Sequence, residues 1–152
     1  MKTLRLTLFL SAFLLVLTGL NAQDNKTVSI STTNPSVTSN NAVFTGQNVP
    51  VSMDVEHVYT LSYTVKNTGD VTWKTGDYKL KVTVTAVDVS KDNKWLVPSV
   101  DIPADVAPGG EVTITFKVTA WNDNGDYAFL AQMGKNETAF GQTSTSVTVH
   151  VH

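Results

Sequence analysis

The stretch YTLSYTVKNTGDVTW, Tyr59 to Trp73, decides the fold. Tyr59, Leu61, Tyr63 and Val65 share one face of a period-two pattern and Thr60, Ser62, Thr64 and Lys66 the other, as a half-buried strand requires. Asn67-Thr68-Gly69-Asp70 then supplies turn chemistry: Asn and Asp bond their own backbone, and Gly tolerates positive φ. The reversal delivers Trp73 to the edge of the next segment, and its place just past a turn marks it as a core residue.

The same alternation recurs on both sides. Before it, Val49, Val51, Met53 and Val55 oppose Pro50, Ser52, Asp54 and Glu56, with Pro50 suiting an edge strand because it lacks a donor. After it, Tyr78, Leu80, Val82, Val84 and Ala86 point inward from a long antiparallel strand. Ser90 to Lys94 is a polar loop, Trp95-Leu96-Val97 a short apolar segment stopped by Pro98, and Val100 and Ile102 come next. The turn Ala107-Pro108-Gly109-Gly110 introduces Val112, Ile114, Phe116 and Val118. Asn122 to Asp126 reverses the chain again, Tyr127, Phe129, Ala131 and Met133 form another inward face, Gly134 to Gly141 reads as a loop, and Val147, Val149 and Val151 close the sequence. Short strands at intervals of roughly ten residues, without an amphipathic helical segment, predict an all-β, immunoglobulin-like antiparallel β-sandwich of seven or eight strands.

Upstream, Lys2 and Arg5 precede the apolar run Leu6 to Leu20, which closes on Asn21-Ala22 in the pattern of a secretory signal peptide with cleavage after Ala22. A retained membrane anchor is the rival, but this run is short for roughly 30 Å of hydrocarbon. Residues 23–42, rich in Ser, Thr and Asn, read as a spacer, or as an edge strand through Val28 and Ile30. Residues 43–152 are the sandwich domain. The expectation is export, to a periplasm or beyond the cell, with no stable membrane span after cleavage.

Of the 152 residues 16% are charged and the net charge is −2, which argues against a nucleic-acid footprint or a polybasic membrane surface. Cysteine is absent, so packing alone must hold the fold.

Three elements, YTVKNTGDVTWKTGDYKLKV, VAPGGEVTITFKV and GDYAFLAQM with Phe140-Gly141 after it, resemble the immunoglobulin-like central domain of the autophagy receptor neighbour of breast cancer gene one, the four-tryptophan family. The resemblance covers residues 44–151. It implies a protein-binding or cargo-binding role, and bacterial relatives that are secreted or displayed at the cell surface. Of the family's four tryptophans only Trp73 carries over; Tyr63 and Ala131 occupy two of the other positions, and the last strand has none.

No residue set suggests catalysis or a cofactor. His57, His150 and His152 belong to no recognisable catalytic motif; His150 and His152 fall on the solvent face of the last strand, where a terminal strand explains them better than a metal grip. Asn122-Asp123-Asn124-Gly125-Asp126 clusters oxygen ligands around a glycine, but Ala131 stands where an EF-hand needs a bidentate Glu, and a hairpin turn is the plainer reading. Asn25-Lys26-Thr27 and Asn136-Glu137-Thr138 are glycosylation sequons only in a eukaryotic secretor. Trp95 and Trp121, beside polar loops, are the candidate ligand-binding residues, offering flat apolar faces and N–H donors to a sugar or peptide; the bland alternative is that they cap the open ends of the sandwich. Two functions fit: a secreted non-catalytic module binding a protein or glycan at or outside the cell envelope, and a structural or adhesion-type protein acting by self-association or strand-edge pairing.

Overall fold

The computed structural model describes residues 39–91 and 95–152. The expected signal peptide, most of the spacer, and Val28 and Ile30 lie outside them. The described residues form strands β1 (Ala42–Asn48), β2 (Ser52–Met53), β3 (Val58–Asn67), β4 (Tyr78–Ala86), β5 (Val100–Asp101), β6 (Glu111–Thr119), β7 (Gly125–Lys135), β8 (Thr138–Thr143) and β9 (Val147–Val151), with no helix among them. A three-stranded sheet in the order β1-β3-β6 faces a six-stranded sheet in the order β2-β9-β7-β4-β5, in which β8 also pairs with β7. Every long ladder is antiparallel, and the two-residue β2 runs parallel to β9.

Each long strand buries the residues its alternation nominates. Leu61, Tyr63 and Val65 of β3 are fully buried, and Tyr78, Leu80, Val84 and Ala86 of β4 meet Ile114 and Val118 of β6 and Tyr127, Phe129, Ala131 and Met133 of β7 between the sheets. One half of the core gathers around Trp73, Tyr78 and Tyr63, the other around Tyr127 and Phe129. Such burial is the main force holding a cysteine-free sandwich together.

Several expectations change. Only Met53 of the Val49–Val55 face is fully buried, and Val51 is exposed, because that segment makes a two-residue strand before the chain turns at Asp54–His57. Gly134 to Gly141 is not a loop: β7 runs to Lys135 and returns as β8 through Asn136, which adopts the left-handed conformation that Asn tolerates. Residues 39–42 are built into the fold: Ala42 is buried at the start of β1, the Tyr78 hydroxyl donates to Asn40 Oδ1 at 2.7 Å, and Ser39 N donates to Asp70 Oδ1 at 2.6 Å. Gly69 is needed there for close approach rather than for positive φ, since a Cβ on it would lie 2.4 Å from the Ser39 carbonyl oxygen.

Tyr63 carries the clearest pH signature. Burial pushes its phenol up to about 12, a shift that Ser144 offsets only in part. Tyr63 Oη makes no hydrogen bond of normal geometry among the described residues, so desolvation dominates. Because the folded value is raised above the ordinary 10.0, the unfolded chain loses this proton first. The stability is intact below pH 10.0 and is lost as pH rises toward about 12. The loss amounts to as much as about 3 kcal/mol. In urea titrations across that window the Tyr63→Phe chain is expected to lose correspondingly less stability; equal losses in both chains would remove Tyr63 as the cause.

Candidate functional site

At the end of the sandwich where β3 begins and β6 finishes, three connections converge. The turn between β2 and β3 holds Glu56 at φ 61°, a left-handed conformation that costs an L-residue about 1 kcal/mol. It is clamped there because Glu56 N donates to the Ala120 carbonyl at 3.1 Å and Ala120 N donates to the His57 carbonyl at 2.9 Å. The exit from β6 carries Trp121 and Asn122.

The third connection is the strap between β4 and β5, held at two points. Lys91 Nζ bonds Asp123 Oδ1 at 3.1 Å and the Asn124 carbonyl, and the Asp123 carboxylate holds the ammonium above its ordinary pKa. Trp95 sets its ring edge-on to Phe129 at 5.1 Å and to Tyr127 at 5.5 Å, so its indole covers the half of the core built on those β7 rings. The Tyr127 hydroxyl donates to the Asp123 carbonyl at 2.9 Å, which couples that core ring to the same loop.

Together these segments form a recess of about 420 Å³ lined by Glu56, Trp95, Leu96, Trp121 and Asn122 and by residues 117–120 at the end of β6. Trp95 and Trp121, chosen from the sequence as separate candidates, share one cavity, and both are half-buried. Each caps the core and lines the recess at once. Trp95 Nε1 is buried, so Trp95 offers carbon surface to a ligand and not the donor expected of it. Sequence reasoning missed Leu96, which is 94% exposed at the rim between the half-buried Trp95 and Val97. The signal was the local alternation, which turns Leu96 outward whenever its neighbours face in. A second recess, of about 420 Å³, lies between β1 and β8, lined by Gln47, Gln142 and Thr143 among others; Phe44 is its one aromatic.

The remaining candidates are engaged elsewhere. The Asn122–Asp126 segment is not a hairpin turn but the crossing from β6 in one sheet to the start of β7 in the other; Asp123 is paired with Lys91, and Asp126, already in β7, accepts from His150 Nδ1 at 2.8 Å. His150 on the exposed face of β9 and His152 just past its end stack their rings 5.6 Å apart, and His152 faces Asp54 at 3.5 Å. Among the described residues no three His, Asp or Glu side chains come together as a metal-holding group. His57 Nδ1 lies 3.1 Å from the Val55 carbonyl. Trp73 is fully buried near the opposite end of β3, bridged to Val106.

Comparison with known proteins bears on the fold. No family model matches the chain, and no curated protein matches it. It is structurally similar to the CARDB domain of a Pyrococcus furiosus protein, with a TM-score of 0.51 and 17% identity over 74% of this chain and 94% of that domain. It is also similar to part of an alkylpurine DNA glycosylase of Pseudomonas fluorescens, with a TM-score of 0.51 and 11% identity over 75% of this chain but 31% of that one. A segment of a Listeria innocua β-glucosidase matches with a TM-score of 0.50 and 16% identity, over 76% of this chain and 16% of the enzyme. At these identities the likeness is one of fold, an immunoglobulin-like β-sandwich. The resemblance to the four-tryptophan domain is thereby corrected: the similarity found is to the CARDB domain, and two of the chain's three tryptophans line a recess at the other end of β3 from Trp73.

Proposed function

We propose that the chain is a non-catalytic immunoglobulin-like module that binds a protein or glycan partner, exported to act at or outside the cell envelope, and that the recess between Trp95, Leu96 and Trp121 is its binding face. One observation carries the reading. Two tryptophans from separate connections wall a single cavity, and beside them an aliphatic side chain is held almost wholly in water. An exposed leucine next to half-buried indoles is apolar surface awaiting a partner, of the sort that anchors peptides and stacks on sugar rings. The strained Glu56 and the Lys117 at the same rim add one charge of each sign for orientation.

The test sets Leu96, which the fold can spare, beside Trp121, whose ring also caps the core, so the Trp121→Ala chain is first shown to be folded by circular dichroism. Leu96→Ser is expected to change stability by less than about 0.5 kcal/mol, since the side chain is solvent-exposed. On glycan and peptide arrays the parent chain should retain a ligand that Leu96→Ser and Trp121→Ala each weaken by about tenfold or more. A ligand held equally by all three chains, or none held by the parent, would sink this reading.

A further inference from the structure

The three-stranded sheet ends on β6, and this edge differs from the others. Strand β1 is interrupted by a bulge between Phe44 and Gly46, the β7–β8 ladder by one between Gln132 and Met133, and β2 and β5 are two residues long. Bulges and shortness are how sheets protect their edges. Strand β6 has neither: nine residues, EVTITFKVT, without proline and in continuous register with β3.

The direction of its backbone groups is fixed by the hydrogen bonds at the end of β3. Asn67 N donates to the Gly110 carbonyl on the β6 side of β3, whereas Thr68 N donates to the Asn41 carbonyl on the β1 side. Odd-numbered residues of β3 therefore bond toward β6, and the register pairs them with Val112, Ile114, Phe116 and Val118. Glu111, Thr113, Thr115, Lys117 and Thr119 turn their N–H and C=O groups outward, and among the described residues no backbone bond reaches them. Their side chains are all exposed. The nearby β5 forms its ladder with β4 instead.

We propose that two copies of the chain pair antiparallel through the outer edges of β6, about a twofold axis at Ile114, joining their three-stranded sheets into one. Charge complementarity selects this partner and this register. Pairing identical antiparallel strands about Ile114 sets Glu111 opposite Lys117 of the second copy, twice by symmetry, and Thr113 opposite Thr115. All four are residues whose main-chain groups face outward, so side-chain and backbone pairing coincide. Shifting the axis to Thr113 or Thr115 keeps the backbone in phase but separates the charges. Opposite charges and threonine pairs directly across a ladder are stabilising, and like charges there are repulsive. A twofold, self-complementary contact closes at the dimer.

Sedimentation equilibrium of the purified chain is the test, with mass as the readout because Lys117 also borders the recess. The parent should move from one-chain to two-chain mass with rising concentration. Glu111→Lys and Lys117→Glu should each weaken the dimer by about tenfold or more, with unchanged circular dichroism, since each places like charges in both pairs. Mixing the two variants should restore the dimer, because every pair is then again of opposite sign, and the double exchange in one chain should do the same. A chain that stays monomeric up to millimolar concentration overturns the proposal. So does a dimer indifferent to the single reversals, or reversals that mixing does not rescue.

Discussion

Replacing Asn67 by Leu is expected to cost about 3–5 kcal/mol, a large part of what holds a domain of this size together. Asn67 is fully buried, yet its amide is fully used: Nδ2 donates to the carbonyls of Val71 at 2.8 Å and Val106 at 3.0 Å, and Oδ1 accepts from Gly69 N at 3.1 Å. Its main chain adds bonds to Gly110 and Gly109 at 2.9 and 2.8 Å. The side chain thus fastens its own turn and the segment before β6 to the end of β3. Leucine fills similar space but supplies neither donor nor acceptor, so the Val71 carbonyl loses its side-chain partner, while the Val106 carbonyl and Gly69 N keep only their main-chain bonds to Trp73 N and the Asn41 carbonyl, in a region of low dielectric. Asn67→Asp should do no better, because it aims a carboxylate at two carbonyl oxygens that needed donors. Urea denaturation at neutral pH measures both; an Asn67→Leu chain within about 1 kcal/mol of the parent would show that water replaces the amide and that the turn is looser in solution.

Asn67 also marks how far the sequence could be read. Its turn chemistry was legible, and so were strands whose alternation matches burial, from Leu61-Tyr63-Val65 to Val149-Val151. Strand β1 was not, because AVFTGQN is bulged at Thr45, between Phe44 and Gly46, and carries Thr and Gln within it, so no clean period survives. Strand β8 was hidden likewise by Gly141 at φ 70°, where a Cβ would lie 2.6 Å from Ala42 N. Trp95 and Trp121 stood out as aromatics beside polar loops. Their convergence did not, since it depends on how β6 of one sheet lies over β4 and β7 of the other, and alternation within a strand carries no information about strand order. The open edge of β6 was invisible for the same reason.

Trp73→Ala is expected to destabilise the chain by about 3–5 kcal/mol, the range for emptying a large aromatic site in a packed core. Trp73 is fully buried, stacked on Tyr78 at 6.1 Å and met edge-on by Phe140 at 5.8 Å, with Tyr78 and Phe140 themselves 5.8 Å apart. Three rings from the β3–β4 connection, β4 and β8 therefore form one aromatic cluster that alanine would open into a cavity. The backbone around it cannot easily collapse to fill the space, because Trp73 and Val106 exchange two hydrogen bonds of 2.9 Å. Trp73→Phe separates volume from polarity. Trp73 Nε1 has no hydrogen-bond partner among the described residues, so phenylalanine sacrifices ring area but no bond, and its cost should fall to about 1–2 kcal/mol. The site lies at the far end of β3 from the recess, and the Trp73→Phe chain should therefore keep whatever ligand the parent binds. Equal losses for the two variants would mean that the indole nitrogen is bonded in solution, and a loss below about 1 kcal/mol for Trp73→Ala would mean that the cluster does not carry this half of the core.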